Sequence, residues 1–202
     1  MDFQIENQAL IKYKGTAEKV IIPKSVKMVG SCVFYDAKNV REVVFSDGVE
    51  TVSSYAFTMC KPLEKVVFPA TLKRVENHAF EQCDSLREAV GGEHLQSLGA
   101  WAFYGCSALT GFQFSKEIKM ICNYTFYGCS SLKEMILPQG VERIGFSAFE
   151  NCTALQKIVL PASVRIIEKN AFRGCSALTL YVAEGGFAEQ FAKEEQIPFV
   201  SY

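Results

Sequence analysis

Cysteine is the residue type with the clearest chemical potential here, because six of the eight cysteines recur at intervals of 23 residues. Thiols in one register could act as nucleophiles, ligate a metal or form disulfides. Equivalent side chains on stacked units point in parallel, however, whereas a disulfide needs them to converge. We therefore predict a ladder of reduced thiols that pack as small apolar groups. Cys32 and Cys122 lie off it and are the better candidates for reactive thiols. The ladder positions are Cys60, Cys83, Cys106, Cys129, Cys152 and Cys175.

Other patterns that carry chemistry are missing from the sequence. His78 and His94 are the only histidines, and no His, Cys or carboxylate set has the close spacing of a zinc site. There is no Gly-rich phosphate loop, no His-Glu-x-x-His and no Gly-x-Ser-x-Gly motif. A triad assembled from distant units stays open at this stage. We expect a protein with no catalytic residues, no metal and no cofactor.

The composition limits the class of partner. In 202 residues, 21 Lys and Arg stand against 22 Asp and Glu, which gives a net charge of −1. A near-neutral chain without a basic block lacks the footprint of proteins that bind phosphate backbones or anionic lipid by charge. No apolar run approaches the roughly 20 residues that span a bilayer. We therefore expect no nucleic-acid partner and no membrane insertion.

The interval of 23 residues also links columns of phenylalanine and leucine. A period of this length predicts a solenoid, in which each unit stacks on its neighbours. We predict one domain over 1–202, with a capping hairpin at 1–16, seven repeats at 17–177, and a final strand and helical cap at 178–202. Because both ends look capped against stacking, we expect a monomer. The column expected to form the spine of the core is Phe34, Phe57, Phe80, Phe103, Phe126, Phe149 and Phe172.

Each unit has a pattern that predicts its elements. In residues 63–69, apolar residues at the first, fourth and sixth positions before a proline predict a short strand that ends in a turn. Residues 72–75 predict a second short extended piece. In residues 77–83, Ala, Phe and Cys have helix-like spacing, which predicts one helical or 3₁₀ turn.

The pattern Ala-Phe-x-x-Cys-x-x-Leu-x-x-Val-x-Leu/Phe-Pro resembles the BspA-like, or Treponema pallidum-type, leucine-rich repeat, with examples at 102–109 and 148–155. The resemblance covers nearly the whole chain. It implies a right-handed superhelical solenoid with a parallel sheet on one face. It also implies a bacterial surface protein that binds other proteins, and it assigns no catalytic residue. Two localisations are therefore expected: the resemblance implies the cell surface, whereas the lack of a secretion signal in Met1–Leu10 and the unpaired cysteines favour the cytoplasm if the chain is complete.

Binding is the function that a long solenoid surface supports best. The second, third and fifth positions of each strand should face outward, since the first, fourth and sixth are apolar. The third column mixes charges of both signs, which suits a protein partner better than a polyanion. The fifth column is apolar, either from β-propensity alone or as the floor of a partner groove. The fifth-column candidates are Val44, Val67, Val90, Gln113, Ile136 and Val159.

A second candidate surface is aromatic. Trp101 should stack on Tyr124, and Tyr104 on Tyr127, which gives a patch of four rings near the middle of the solenoid. Exposed rings are typical binding anchors and can hold a sugar, although such residues can also pack along the turn. We predict a non-enzymatic module that binds a protein partner through the strand-lined face. Carbohydrate or small-ligand binding by the aromatic patch is the alternative.

One unit breaks the pattern. Gly91 stands where other units have a core Phe or Leu, and Gly92 stands at the proline column. The missing side chain leaves either a gap or a bend in the chain. We predict that Trp101 or a shifted backbone fills this space, with a functional recess as the alternative.

Overall fold

The solenoid carries three columns side by side: a first sheet, a second sheet and a stack of tight turns. A computed structural model describes residues 2–202 and confirms the expected repeat architecture. In chain order the elements are β1 (Phe3–Glu6), β2 (Ala9–Tyr13), β3 (Lys19–Ile22), β4 (Met28–Val29), β5 (Glu42–Phe45), β6 (Thr51–Val52), β7 (Lys65–Phe68), β8 (Arg74–Val75), β9 (Glu88–Gly91), β10 (Ser97–Leu98), β11 (Met120–Ile121), β12 (Glu134–Ile136), β13 (Arg143–Ile144), β14 (Lys157–Val159), β15 (Ile166–Ile167), β16 (Thr179–Val182), α1 (Phe187–Glu194) and β17 (Phe199–Ser201).

The first sheet is parallel and keeps one register. β3, β5, β7 and β9 pair in that order, with Lys19 opposite Glu42, Lys65 opposite Glu42 on the other side, and Glu88 opposite Lys65. β12, β14, β16 and β17 continue the same face after an interruption. Branched side chains such as Val43 pack inward on the pleated strands, while alternate residues face outward. A residue type repeated every 23 positions is therefore stacked on itself.

The turn segments show the 3₁₀ hydrogen-bond pattern without forming a regular helix. The Cys106 N–H donates to the Phe103 carbonyl at 3.2 Å, three residues earlier. Each segment contains a residue with positive φ, which interrupts helical propagation, such as Trp101 at 56°. Peptide N–H groups also point to the next unit, as from Phe80 to the Ala102 carbonyl at 2.9 Å. We call these unit-to-unit bonds the turn ladder.

The core confirms the predicted spine. The seven phenylalanine rings stack in sequence with centroids 4.6–5.7 Å apart, and all seven are buried. Five of the six ladder cysteines are buried beside them, and Cys175 is partly exposed. The Cys106 thiol donates to the Phe80 carbonyl at 3.1 Å, and its neighbours repeat this contact. Burial raises the pKa of the Cys60 thiol to about 12, so it stays protonated at neutral pH.

Separate elements cover the two ends of the spine. The antiparallel hairpin β1–β2 pairs with β4, and the Tyr13 ring packs 5.0 Å from Phe34. At the other end, α1 contacts β16 and β17, and the Phe191 ring meets the edge of Phe172 at 6.3 Å. These contacts shield the outermost phenylalanines from water.

Both sheets are interrupted between the same two units. The first sheet stops at β9 and resumes at β12. The second sheet has the order β1-β2-β4-β6-β8-β10, stops at β10, and resumes as β11-β13-β15. Residues 111–114 occupy the gap in the first sheet. Within the described residues 2–202, their N–H and carbonyl groups form no main-chain hydrogen bond. The turn ladder continues across the gap, with Trp101 donating to the Asn123 carbonyl at 3.1 Å. The two halves are thus joined through their turns and their packed core.

The interruption follows from the volume lost at Gly91. Gly91 still pairs with Phe68, at φ +90°, where a Cβ would lie 2.2 Å from the Phe68 carbonyl oxygen. The Phe112 ring fills the space instead, with centroids 5.3 Å from Phe103 and 5.6 Å from Phe126. The expectation that Trp101 fills it was wrong, because its indole stacks between His78 and Tyr124, whereas the alternative of a shifted backbone agrees with the irregular segment that carries Phe112. Phe112 occupies a column where other units carry smaller residues, so its segment leaves the strand register to accommodate the ring.

A cleft of about 370 Å³ opens beside the interruption, between residues 91–94 and 113–116. It coincides with the recess that the paired glycines suggested. His94 and Glu117 are hydrogen-bonded near it at 3.0 Å, and this contact lowers the pKa of the Glu117 carboxyl.

Candidate interaction surface

An outward-facing apolar column follows the first sheet, and we call it the apolar stripe. Ile136 is 66% exposed and Val90 is 41% exposed, whereas Val44, Val67 and Val159 are half-buried. Strand pairing places each member beside the next within the two sets of strands, from Ile21 to Val90 and from Ile136 to Val200. Its members are Ile21, Val44, Val67, Val90, Ile136, Val159, Tyr181 and Val200.

The stripe contains three residues that the sequence-based set lacks, and it omits one residue of that set. Gln113 is exposed but lies in the irregular segment, where it interrupts the stripe. Ile21 is 57% exposed and could have been found, because it precedes Val44 by 23 residues. Tyr181 follows Val159 by only 22 residues, and Val200 joins through the pairing of β17 with β16, so the period does not reveal them.

Charged residues flank the stripe on the first four strands, in two columns that we call the charge ladder. Both columns alternate in sign from one strand to the next. Lys65 contacts Glu88 at 2.6 Å, and Lys19 contacts Glu42 at 3.0 Å. The ladder ends at the interruption, where Gly111 takes the next position. Its members are Glu18, Lys19, Arg41, Glu42, Glu64, Lys65, Arg87 and Glu88.

The charge ladder is neutral in sum but strongly patterned. A groove of about 440 Å³ runs along it. The hydrogen bond to Glu88 raises the pKa of Lys65, so the ammonium form is favoured. Because these side chains are largely exposed, their pairs contribute little to folding stability. Their alternating signs instead favour a partner with a matching charge pattern.

The aromatic patch has the stacking that the sequence predicts. The Trp101 and Tyr124 centroids lie 4.8 Å apart, and those of Tyr104 and Tyr127 lie 4.7 Å apart. Both pairs span the interruption between the two halves. All four rings are partly exposed, but His78 stacks on the other face of Trp101 at 5.0 Å. The indole therefore offers its edge to solvent, while both of its faces are occupied.

The two off-ladder cysteines differ in environment. Cys32 is exposed near the N-terminal end of the solenoid. Cys122 is half-buried, and burial raises the pKa of its thiol, which reduces its reactivity at neutral pH. Within residues 2–202, no group of three or more His, Cys, Asp or Glu side chains converges as a metal site. None of the helices in that range could cross a membrane.

Comparison with known proteins addresses the family. A family model for the BspA type leucine-rich repeat region matches the chain in six copies, over residues 4–121 and 52–179. The chain belongs to the BspA-type leucine-rich repeat family. This confirms the resemblance read from the Ala-Phe-x-x-Cys pattern. No curated protein matches this BspA-type chain in sequence.

Solved structures agree with the family assignment. A leucine-rich cell surface protein from Faecalibacterium prausnitzii is similar with a TM-score of 0.77 and 28% identity, over 89% of this chain and 52% of that one. The Treponema pallidum leucine-rich repeat protein shares the fold with a TM-score of 0.63 and 24% identity, over 90% of this chain and 78% of that one. A leucine-rich repeat protein from Eubacterium ventriosum gives 0.62 and 22%, over 82% and 55%. The BspA-type chain thus spans about half of the Faecalibacterium protein.

Proposed function

We propose that this BspA-type chain is a non-enzymatic interaction module that binds a protein partner through its first sheet. The observation that carries the proposal is the apolar stripe, which follows the outer surface of the sheet beside the charge ladder. Ile136 and Ile21 are the most exposed of its aliphatic side chains. Burial of such a stripe against a partner is favourable. The flanking charges then fix register and exclude mismatched partners.

The aromatic patch gives weaker support to the alternative, carbohydrate or small-ligand binding. Sugars stack on open ring faces, whereas the faces of Trp101 are already covered by His78 and Tyr124. The rings of the aromatic patch also join the two halves of the solenoid across the interruption. This structural role explains why they stack. A glycan panel read by fluorescence tests this alternative, since Trp101 is the only tryptophan of the sequence and lies in the patch.

Matched surface variants test the first-sheet proposal. Val67→Glu, Val90→Glu and Ile136→Glu together should abolish capture of the partner, because three carboxylates would be desolvated in the interface. The control is Met28→Glu, Met120→Glu and Ile166→Glu, which adds the same charge to exposed apolar residues of the second sheet.

The two variants and the native chain are compared as baits in lysate and in extracellular extracts, after circular dichroism and urea unfolding establish that each is folded. A partner lost with the first-sheet variant and kept with the control supports the proposal. A partner kept by the first-sheet variant and lost by the control would move the binding surface to the second sheet.

A further inference from the structure

We propose that the first sheet also binds a second copy of this chain, face to face and antiparallel. This inference rests on the proposed function, because it uses the same surface. It names a partner for the strands β3, β5, β7 and β9, where the charge ladder and the apolar stripe run together. The argument comes from the symmetry of the charge pattern.

The outer column of the ladder is self-complementary under a two-fold axis. We place the axis parallel to the strands, midway between β5 and β7, so that the first strand faces the fourth strand of the other copy. Glu18 then faces Arg87. Arg41 faces Glu64 in the same way. Because the sign alternates over four strands, an even number, every charge meets its opposite. Three or five strands would bring like charges together.

The inner column obeys the same rule with the signs inverted. Lys19 faces Glu88 of the other copy, and Glu42 faces Lys65. These residues already form pairs within one copy, at 3.0 Å and 2.6 Å. Each charge would therefore have opposite charges both beside it and across the interface, which favours this register over like-charge alternatives.

The apolar stripe selects the antiparallel arrangement. With the axis parallel to the strands, Ile21 faces Val90 of the other copy and Val44 faces Val67. With an axis along the solenoid, the two charge columns would also match, but the stripe of each copy would lie away from the other. Only the first arrangement matches the charge columns and also buries the exposed aliphatic side chains against each other.

The size of the surface makes the complex weak. Four strands about 4.8 Å apart, with four residues of about 3.3 Å each, give a projected face of roughly 250 Å² per copy. Stable interfaces bury about 800 Å² per partner. The dimer should therefore form at high concentration and low salt, and dissociate as salt screens the charges. The hairpin β1–β2 and α1 cover the ends of the spine, which is the basis for expecting a monomer, and they leave this face open.

Two charge-swap variants test the register. One carries Lys65→Glu with Glu88→Lys, and the other carries Lys19→Glu with Glu42→Lys. Each keeps its ion pair within the copy, with inverted sign, and keeps the net charge. The neighbouring positions 42 and 65 of one copy then carry like charges, equally in both variants and in their mixture, so only the contacts across the interface differ. In either variant alone, positions 19 and 88 carry like charges across the interface, as do positions 42 and 65. When the two variants are mixed, all of these contacts become attractive again. Arg143→Glu with Glu168→Arg is the control, because it swaps an ion pair of the second-sheet side.

Sedimentation equilibrium of the purified chains gives the readout. At low salt the weight-average mass of the native chain should rise from 22.5 kDa toward twice that value with concentration. Each first-sheet swap should weaken association roughly tenfold or more, the control should not, and an equimolar mixture of the two swaps should restore it.

A native mass that stays at 22.5 kDa up to about 1 mM would overturn the inference. So would association that survives both swaps, or a mixture that fails to associate. These results leave the proposed function intact if the first-sheet variant still loses a captured partner, so the two failures are distinguishable.

Discussion

Replacing Phe112 with alanine tests the explanation of the interrupted sheets. The Phe112 ring lies 5.3 Å from Phe103 and 5.6 Å from Phe126, in the space left by Gly91. Truncation of a fully buried phenylalanine costs about 3–5 kcal/mol. Because Phe112 is half-buried, we expect a loss of about 2–3 kcal/mol in the free energy of unfolding. For a chain of this size, that loss lowers the melting temperature by about 5–10 °C.

The assay is thermal and urea unfolding followed by circular dichroism, with Phe187→Ala as the control. Phe187 is 38% exposed at the start of α1, so its truncation should cost less than about 1 kcal/mol. Equal effects of the two substitutions would contradict the account, because Phe112 would then contribute no more than a surface ring. A loss below about 1 kcal/mol for Phe112→Ala alone would have the same meaning.

Three further substitutions or treatments follow from the same structure. Gly91→Ala should destabilise by more than about 1 kcal/mol in urea unfolding, since its Cβ would lie 2.2 Å from the Phe68 carbonyl oxygen at φ +90°; an unchanged midpoint would exclude that backbone geometry. Trp101→Ala removes two ring stacks and should cost about 1–3 kcal/mol, measured by the same unfolding curves; a neutral effect would show that the patch does not join the halves. Thiol labelling of the folded chain near pH 8 should modify Cys32 first and leave buried Cys106 unmodified until urea unfolds the chain. The reason is that desolvation raises the pKa of the Cys106 thiol. Rapid labelling of Cys106 in the folded chain would refute the buried ladder.

The regular part of the fold could be predicted because residues 23 positions apart occupy equivalent places in successive units. Phe80 and Phe103 occupy equivalent positions, so one assignment of the turn segment places every spine ring. The sequence locates the interruption at Gly91, but it does not predict which side chain fills the space that Gly91 leaves. Phe112 fills the space from the next unit, and this depends on how two strands separate in three dimensions.

The surface could be predicted only in part. The apolar column could be predicted because outward and inward residues alternate along each strand. Ile21 belongs to the same column, since it precedes Val44 by the repeat length of 23 residues. Tyr181 could not be predicted from the period, because it pairs with Val159 at a spacing of 22 residues instead of 23. The self-complementary charges could not be predicted, because each column alternates in sign only over the four strands that end at the interruption. The structure defines that set of four strands.

Photo-crosslinking from defined positions tests the central claim, binding through the first sheet, most directly. A photoreactive phenylalanine analogue at Val67 places the probe on the apolar stripe, and the same analogue at Met120 places it on the second sheet. After capture of a partner, irradiation should yield a covalent adduct from position 67 and little from position 120. An adduct from position 120 with none from position 67 would contradict the account.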